Sequence, residues 1–374
     1  MENLKPKIIF VVRNLSIGGI NTVTSELVKE IQVQGLYDVI VVSLSREKQE
    51  YKGFSEVRTE FFSFPIDSVF GKLARALNYF FPFLGSWIFG SLSRALFVRF
   101  VSRLGNVEKV FLCGFGAYSN FNRFNDGRFV FVSHSLKSRI IFKKSNLLSK
   151  LNSIWLENIL SDRMIAVSHG VKKDWKRVIG SAADNIEVIN NPVNKERVER
   201  LAKVKVFKNI PEKYFLLCGR LSKEKNFESI IKTWADSGVS EQLVVVGDGP
   251  EYSNLKTIVE RLGIRKNVHF MGFLDNPYPF ICKATAVIIN SFYEGLPTLA
   301  IEAQFLKTPL IIGECGGAAY DVVQEKYYSE IFSINDQTKL MKNIQRASNN
   351  IYPIFEVDYE KFDVASVVKR YLDI

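Results

Sequence analysis

The sequence has few of the residues from which metal and redox sites are built. Its 374 residues include three histidines and four cysteines, and no H-x3-H pair, C-x-x-C pair or D-x-D motif occurs. A disulfide scaffold is excluded and a reducing compartment is favoured, because the cysteines lie far apart at Cys113, Cys218, Cys282 and Cys315. We therefore expect no dedicated metal site and no cofactor.

A long apolar segment is missing near the N-terminus. The first apolar run, 8–12, has five residues and ends at Arg13, which is too short for a secretory signal peptide, so we expect a cytoplasmic protein. Hydrophobic residues make up 47% and charged residues 24%. This composition excludes disordered, collagen-like and coiled-coil chains, and the length suits two domains.

Positive charge is concentrated in one part of the chain. Residues 71–150 hold thirteen Lys and Arg against Glu108 and Asp126, a surplus equal to the net charge of +11. Within this part an uncharged run, 76–93, and the residues after it include Phe80, Phe81, Phe83, Trp87, Arg94 and Arg99. Three interpretations stay open: a spanning helix, ordinary core, and a patch on an anionic membrane surface, which the composition favours. No nucleic-acid-binding motif accompanies the charge, so nucleic acid is not an expected partner.

Apolar runs that alternate with helical patterns predict an α/β protein with two similar halves. The first half opens with a strand at 7–12, a loop containing Gly18 and Gly19, and a helix at 21–31. A turn-rich break at 190–194 precedes the second series, whose first strand is at 214–218. We predict doubly wound domains at 1–195 and 196–358, with a separate last helix within 359–374.

The segment 290–303 places two acids around a predicted helix start. An apolar strand ends at Asn290, Pro297 suits the first helical position, and Glu294 and Glu302 lie on either side of it. At the carboxyl edge of a parallel sheet, a helix N-terminus offers free N–H groups to an anion such as phosphate. The two acids suit a ligand with hydroxyls on both sides of a diphosphate. The segment alone fits a capped helix with a solvated acid equally well.

Two further strand ends carry polar groups. Gly219 after the strand 214–218 permits a tight turn, and Arg220 and Lys225 follow it as cations suited to phosphate. His134 follows an apolar strand at the same kind of edge, where a lone histidine is more often structural than functional. The motif Gly247-Asp248-Gly249-Pro250 also follows a strand. It has Tyr252 where a dinucleotide fingerprint needs its third glycine, so we reject NAD binding.

Together these segments resemble the retaining glycosyltransferases of family four, which have the GT-B architecture of two Rossmann-like domains facing a cleft. The E-x7-E motif of that family matches Glu294 and Glu302, and its G-R-x-x-x-x-K-N loop matches Gly219, Arg220, Lys225 and Asn226. Gly18, Gly19 and His134 match more weakly. The resemblance also implies that the last helix crosses back to pack on the first domain.

The resemblance implies a role for each matched residue. Arg220 and Lys225 are expected to hold the donor diphosphate, Glu302 the ribose hydroxyls, and Glu294 with nearby backbone amides the donor sugar. His134 is expected to contact the sugar near its reacting face, and Gly18 and Gly19 to line the acceptor and phosphate region. The other expected donor-binding residues are Gly219, Asn226, Gly295, Leu296, Pro297 and Thr298.

The implied activity is retaining, metal-independent transfer of a hexose or N-acetylhexosamine from a nucleotide sugar, with UDP as the expected nucleotide. The expected acceptor is a lipid-linked glycan or polysaccharide at the inner face of the membrane, as in bacterial lipopolysaccharide or capsule synthesis. Two alternatives stay open: a nucleotide-sugar epimerase or hydrolase of the same fold, and a GT-B scaffold protein without turnover. Gly316-Gly317 is followed by Ala318 rather than an early glutamate, which leaves recognition of the base open.

Overall fold

The fold divides into two compact units, Met1–Pro192 together with Val364–Ile374, and Val193–Asp363. A computed structural model describes residues 5–16, 18–45, 51–63, 84–118, 121, 124–136, 163–205 and 210–374. Each unit contains one parallel β-sheet with helices.

Seven parallel strands form the sheet in the described part of the first unit, in the order β3-β2-β1-β4-β5-β6-β7. They are β1 Lys7–Val12, β2 Asp38–Ser43, β3 Arg58–Phe61, β4 Val107–Cys113, β5 Phe129–Ser133, β6 Arg163–Ala166 and β7 Glu187–Val188. In the central register Ile9 lies between Ile40 and Val110. The central strands are apolar along their length because both faces of the sheet are covered. The strand order reverses between β1 and β4, and ligands bind at such switch points in open α/β sheets.

The helices of the first unit include the one that the sequence predicts at 21–31. Within the described residues they are Gly19–Gln34, Leu84–Leu104, Phe115–Tyr118, His169–Ile179 and Val364–Asp373. The helix Gly19–Gln34 ends at Gly35, whose φ of 69° is the left-handed conformation usual after a helix C-terminus. The sequence also predicts a helix at 148–160, and these residues lie outside the described part of the chain.

Five parallel strands form the sheet of the second unit in the order β10-β9-β8-β11-β12, counted over the described residues. They are β8 Tyr214–Cys218, β9 Gln242–Val246, β10 Val268–Gly272, β11 Ala286–Ile289 and β12 Leu310–Ile312. The helices are Lys195–Ala202, Phe227–Asp236, Tyr252–Arg261, Tyr278–Ile281, Thr298–Phe305, Ala319–Val322 and Gln337–Ser348. Here the strand order reverses between β8 and β11. The loops after these two strands carry Lys225 and Glu294, so the topology brings both sequence motifs to one switch point.

The last helix, Val364–Asp373, belongs to the first unit although it follows the second in the chain. Val364, Val367, Val368 and Tyr371 are buried, and this spacing places them on one face of the helix. The Tyr371 ring lies 5.2 Å from that of Phe111 in β4. Arg370 donates a hydrogen bond of 2.6 Å to the carbonyl of Val188. The expected return of the last helix to the first domain is thereby confirmed.

Candidate active site

Two hydrogen bonds join the loop after β8 to the loop after β11, one between backbone groups and one from the Asn226 side chain. The Phe292 N–H donates to the Glu224 carbonyl at 2.8 Å, and Asn226 Nδ2 donates to the Asn290 carbonyl at 3.1 Å. Asn226 has a φ of 55°, a left-handed conformation that asparagine adopts more readily than most residues. The asparagine of the sequence motif therefore ends the turn that carries Lys225 and joins it to the second acidic loop.

Lys225 and Glu294 form an ion pair at this switch point. Lys225 Nζ lies 2.6 Å from Glu294 Oε1, and the Ser291 hydroxyl donates to the same oxygen at 2.7 Å. The two charged side chains keep only 26% and 15% of their surface exposed. Burial lowers the pKa of Lys225, but the neighbouring Glu294 carboxylate outweighs it and holds that pKa above its ordinary value. Lys225 therefore stays cationic, with two ammonium hydrogens left for a ligand.

Arg220 adds a second cation to the same loop. Its side chain is exposed and, among the described residues, forms no ion pair. Gly219, immediately before it, has a φ of 144°, and a Cβ there would lie 3.6 Å from Lys225 Cε. The glycine lets the backbone turn beside the lysine stem.

The glycines of the motif 247–250 pack against the cationic loop, residues 219–226, from the end of the neighbouring strand β9. Gly219 N–H donates to Val246 O, and Leu221 N–H donates to Asp248 O, both at 2.9 Å. A Cβ on Gly247 would lie 1.9 Å from the Gly219 carbonyl oxygen, and one on Gly249 would lie 2.4 Å from the Leu221 carbonyl oxygen. Only glycine lets the two loops pack this closely.

Glu302 lies on the helix Thr298–Phe305, where the Tyr278 hydroxyl donates to its Oε1 at 3.3 Å. Burial raises the pKa of Glu302 to about 7, while the Tyr278 hydrogen bond and the charge of Arg197 act in the opposite direction. This carboxyl group therefore changes charge near neutral pH. Tyr278 was not predicted as a site residue, because nothing in the sequence relates it to an acid 24 positions away.

The helix after Glu294 starts one residue later than predicted. Pro297 is the N-cap residue and the helix begins at Thr298, so the expectation of proline at the first helical position is wrong. The Thr298 N–H donates to Leu296 O at 3.0 Å, a local turn that moves the start. Leu296 is buried, and Gly295 joins it to Glu294. The Glu294 N–H donates to Cys315 O at 3.2 Å, which links this segment to the loop after β12.

Gly18, Gly19 and His134 lie in the first unit. Gly18 is the N-cap of the helix Gly19–Gln34, and a Cβ on Gly18 or Gly19 would meet no atom within 4 Å. His134 follows β5, and burial lowers its pKa to about 4 despite an opposing hydrogen-bond effect from Asn191. Its imidazole is therefore neutral at neutral pH. Both ring nitrogens are buried without a hydrogen bond of normal geometry to the described residues.

The predicted membrane patch falls largely beyond the described residues. Phe80, Phe81 and Phe83 lie outside them, and so does the side chain of Trp87. Arg94 and Arg99 lie on the helix Leu84–Leu104, with Arg99 exposed. In the described part of the chain, no helix combines the length and the apolar character needed to cross a bilayer. The same residues contain no group of three or more His, Cys, Asp or Glu side chains placed to hold a metal ion.

Solved structures with the same topology identify the class of fold. The chain is similar to the lipopolysaccharide outer core galactosyltransferase WaaB in its apo form, with 19% identity, a TM-score of 0.65 and 98% of each chain covered. It is similar to Anabaena HepE in complex with UDP, with 16% identity, a TM-score of 0.66 and 98% of each chain covered. The fold is GT-B, as the sequence resemblance implies.

Two family matches cover most of the chain. Residues 17–197 match Glycosyltransferase Family 4, and residues 199–352 match Glycosyl transferases group 1. The chain therefore belongs to the family-four, group 1 glycosyltransferases. A curated relative from Campylobacter jejuni, N-acetylgalactosamine-N,N'-diacetylbacillosaminyl-diphospho-undecaprenol 4-alpha-N-acetylgalactosaminyltransferase, is 20% identical over 55% of this chain and 56% of its own length. The chain spans about half the length of the curated relatives it matches.

Proposed function

We propose that the protein is a retaining glycosyltransferase that moves a sugar from a nucleotide sugar to a lipid-linked glycan or polysaccharide acceptor. The observation that carries the proposal is the Lys225–Glu294 pair at the switch point of the second sheet, 2.6 Å apart and next to Arg220. Family membership supports it, and so do the UDP held by HepE and the diphospho-undecaprenol in the name of the Campylobacter relative. Bacterial lipopolysaccharide or polysaccharide synthesis is the proposed setting.

The proposed donor site separates charge during the reaction. As the bond between the anomeric carbon and the phosphate oxygen breaks, positive charge develops on the sugar and negative charge on the nucleoside diphosphate. Lys225 stabilises that negative charge because it is fixed before the reaction begins, and the exposed Arg220 adds a second positive charge. Glu294 holds Lys225 in place and offers its second oxygen to the sugar, and Glu302 accepts hydrogen bonds from the ribose. In this proposal the cations take the place of a metal ion.

Retention of the anomeric configuration requires the acceptor hydroxyl to approach the same face of the sugar from which the diphosphate departs. The acceptor oxygen bonds to the anomeric carbon, and its proton passes to the departing phosphate oxygen, so no protein nucleophile is required. His134, neutral at the pH of the reaction, is proposed to hold the sugar near this face through a hydrogen bond. Gly18 and Gly19 are proposed to give the acceptor close access to the backbone.

The test is a screen of the purified protein against UDP-, GDP- and ADP-sugars, with lipid-linked glycan acceptors and with excess EDTA. We expect one donor to yield a product whose anomeric configuration by NMR equals that of the donor, with EDTA having no effect. Sugar release or epimerisation that needs no acceptor would instead support the epimerase or hydrolase. Nucleotide-sugar binding without turnover would support the scaffold, and inversion would contradict retention.

The raised pKa of Glu302 predicts that donor binding depends on pH. Ribose hydroxyls donate to an ionised carboxylate, so binding favours the deprotonated form of a group whose pKa is about 7 in the free protein. We expect affinity for the nucleotide sugar found in the screen to fall about tenfold from pH 8 to pH 6. In Glu302→Gln, affinity should be weaker at pH 8 and constant over this range. Isothermal titration calorimetry at pH 6 and pH 8 measures the affinity of the unchanged protein and of the variant. The same pH dependence in the variant would show that Glu302 does not bind the ribose.

The acceptor proposal includes peripheral attachment to the membrane through the basic, aromatic segment around 76–93. We expect the protein to sediment with anionic vesicles, less so at high salt, and little with neutral ones, because each Lys or Arg near an anionic surface contributes about 1 kcal/mol. The double substitution Phe83→Ser with Trp87→Ser should reduce the vesicle binding that remains at high salt. The control substitution Val33→Ser with Leu36→Ser should leave that binding unchanged. Val33 and Leu36 are exposed apolar residues of the same unit. No sedimentation with either vesicle would overturn the attachment.

A further inference from the structure

His134 has a feature that its proposed contact with the sugar does not explain. Both of its ring nitrogens are buried, and neither forms a hydrogen bond of normal geometry with a described residue. Burial of a polar group without a partner costs free energy. A neutral imidazole has one N–H donor and one lone-pair acceptor, and a sugar hydroxyl can satisfy one of the two. The other nitrogen needs a partner within the protein.

The carboxyl edge of the first sheet brings the segment after β7 to His134. The N–H of Val167, which follows β6, donates to the Ser133 carbonyl at 3.2 Å, and Asn190 Nδ2 donates to the Val167 carbonyl at 3.0 Å. These two bonds join the ends of β5, β6 and β7, so that Asn191 lies beside the residue that follows Ser133. The hydrogen-bond effect of Asn191 on the pKa of His134 places the two side chains next to each other.

Asn191 carries the acceptor that an N–H of His134 needs. Asn191 keeps 5% of its surface exposed, and its Oδ1 is buried without a hydrogen bond of normal geometry to the described residues. An amide oxygen accepts hydrogen bonds and an imidazole N–H donates one, so the two groups are complementary. The Ser133 hydroxyl, next to His134 in the chain, already accepts from Trp175 Nε1 at 2.8 Å. Among the described residues, Asn191 Oδ1 is therefore the acceptor left for His134.

We propose that Asn191 is a positioning residue, which accepts a hydrogen bond from one ring N–H of His134 and thereby fixes the tautomer of the imidazole. This inference rests on the proposed function, in which His134 holds the sugar. Because its N–H is held by Asn191, the second ring nitrogen keeps its lone pair and accepts a hydrogen bond from a sugar hydroxyl. Without Asn191 the same nitrogen would be a donor in one tautomer and an acceptor in the other.

The first measurement is the tautomer of His134, by NMR of the full chain labelled with ¹⁵N at histidine. The chain has three histidines, and His134→Gln identifies the signals of this one. In the unchanged protein at neutral pH we expect one protonated and one unprotonated ring nitrogen. In Asn191→Leu both tautomers should coexist, and the two signals should move toward their average. Asn191→Asp should keep the tautomer and raise the pKa of His134 by about 1 to 3 pH units, because a carboxylate favours the imidazolium.

The second measurement is transfer of sugar in a double-mutant cycle. Asn191→Leu should lower kcat/KM about 2- to 10-fold, which corresponds to the loss of one ordinary hydrogen bond. In a His134→Ala background the same substitution should cost nothing further, because Asn191 acts through His134. The matched control is Asn343→Leu, which replaces a buried asparagine of the second unit whose Nδ2 also lacks a hydrogen-bond partner among the described residues. It should leave the His134 signals unchanged.

The outcomes separate this inference from the function on which it rests. Mixed tautomers in the unchanged protein, or His134 signals that Asn191→Leu does not move, would overturn the positioning role. An equal loss of activity in the parental and His134→Ala backgrounds would also overturn it, because Asn191 would then act independently of His134. If Asn191→Leu does not fold, the unchanged protein and Asn191→Asp decide the tautomer. A parental rate in His134→Ala would instead contradict the proposed function of His134 and not its hydrogen bond with Asn191.

Discussion

Lys225→Ala is expected to reduce kcat by about 10²- to 10³-fold, the cost typical of removing one fixed electrostatic group from a transition state. The ammonium lies at the switch point of the second sheet, 2.6 Å from Glu294, and is directed there by the turn that Asn226 ends. Its loss removes positive charge where the diphosphate leaves. The measurement is transfer of sugar at saturating donor, with thermal unfolding recorded in parallel.

The matched control is Lys223→Ala, which removes an exposed lysine of the same turn two residues away. It should keep the parental rate. Because Lys225→Ala also leaves Glu294 without its cation, some loss of stability is expected, since an unpaired, largely buried charge is costly. Arg220→Ala tests the role of the loop without this loss of stability. Arg220 is exposed, so its removal should lower kcat without changing the unfolding temperature. A parental rate in both Lys225→Ala and Arg220→Ala would exclude this loop from the donor site.

Gly247→Ala is expected to damage both folding and activity. The added methyl group would lie 1.9 Å from the Gly219 carbonyl oxygen, and the φ of 137° at this position is one that alanine rarely adopts. We expect a loss of about 3 kcal/mol in the free energy of unfolding. Transfer should fall about 100-fold or more in the folded fraction, because a shift of about 1 Å in a positioning loop can have that effect. Denaturant unfolding and assays on the folded protein measure the two losses.

Gly263→Ala separates crowding from backbone strain. Gly263 also has a positive φ, of 69°, but a Cβ there would meet nothing within 4 Å. This control should lose about 1 kcal/mol, from left-handed strain alone, and should keep its activity. If Gly247→Ala were no more damaging than Gly263→Ala, the two loops would not depend on each other in the way the backbone contacts indicate.

The sequence predicts the strands well because they are buried on both faces. The predicted strands at 7–12 and 214–218 coincide with β1 and β8. Continuous apolar runs of this kind are typical of parallel sheets with helices on both sides. Helix ends are harder to predict, as at Pro297, because one local hydrogen bond moves the start without changing the apolar pattern.

The partners within the candidate site depend on strand order, which a linear pattern does not encode. Lys225 and Glu294 are 69 positions apart, and they meet because β8 and β11 are neighbours in the sheet. The sequence assigns one residue to phosphate and the other to sugar without indicating that they contact each other. The role of Gly247 was missed for the same reason. A glycine pair after a strand is visible in the sequence, but the carbonyl against which it packs belongs to another loop.

The return of the helix Val364–Asp373 to the first unit has a consequence for synthesis on the ribosome. Residues 193–363 form an uninterrupted unit, so every segment that it needs has been translated before the last helix. Most of the first unit precedes the second in the sequence, yet Phe111 cannot meet Tyr371 until translation has reached residue 371. Domains usually fold in the order in which they emerge, whereas here the unit that emerges first is the last to be completed. Nascent chains that stop before residue 364 should therefore expose the apolar surface that this helix covers and be bound by chaperones that recognise such surfaces.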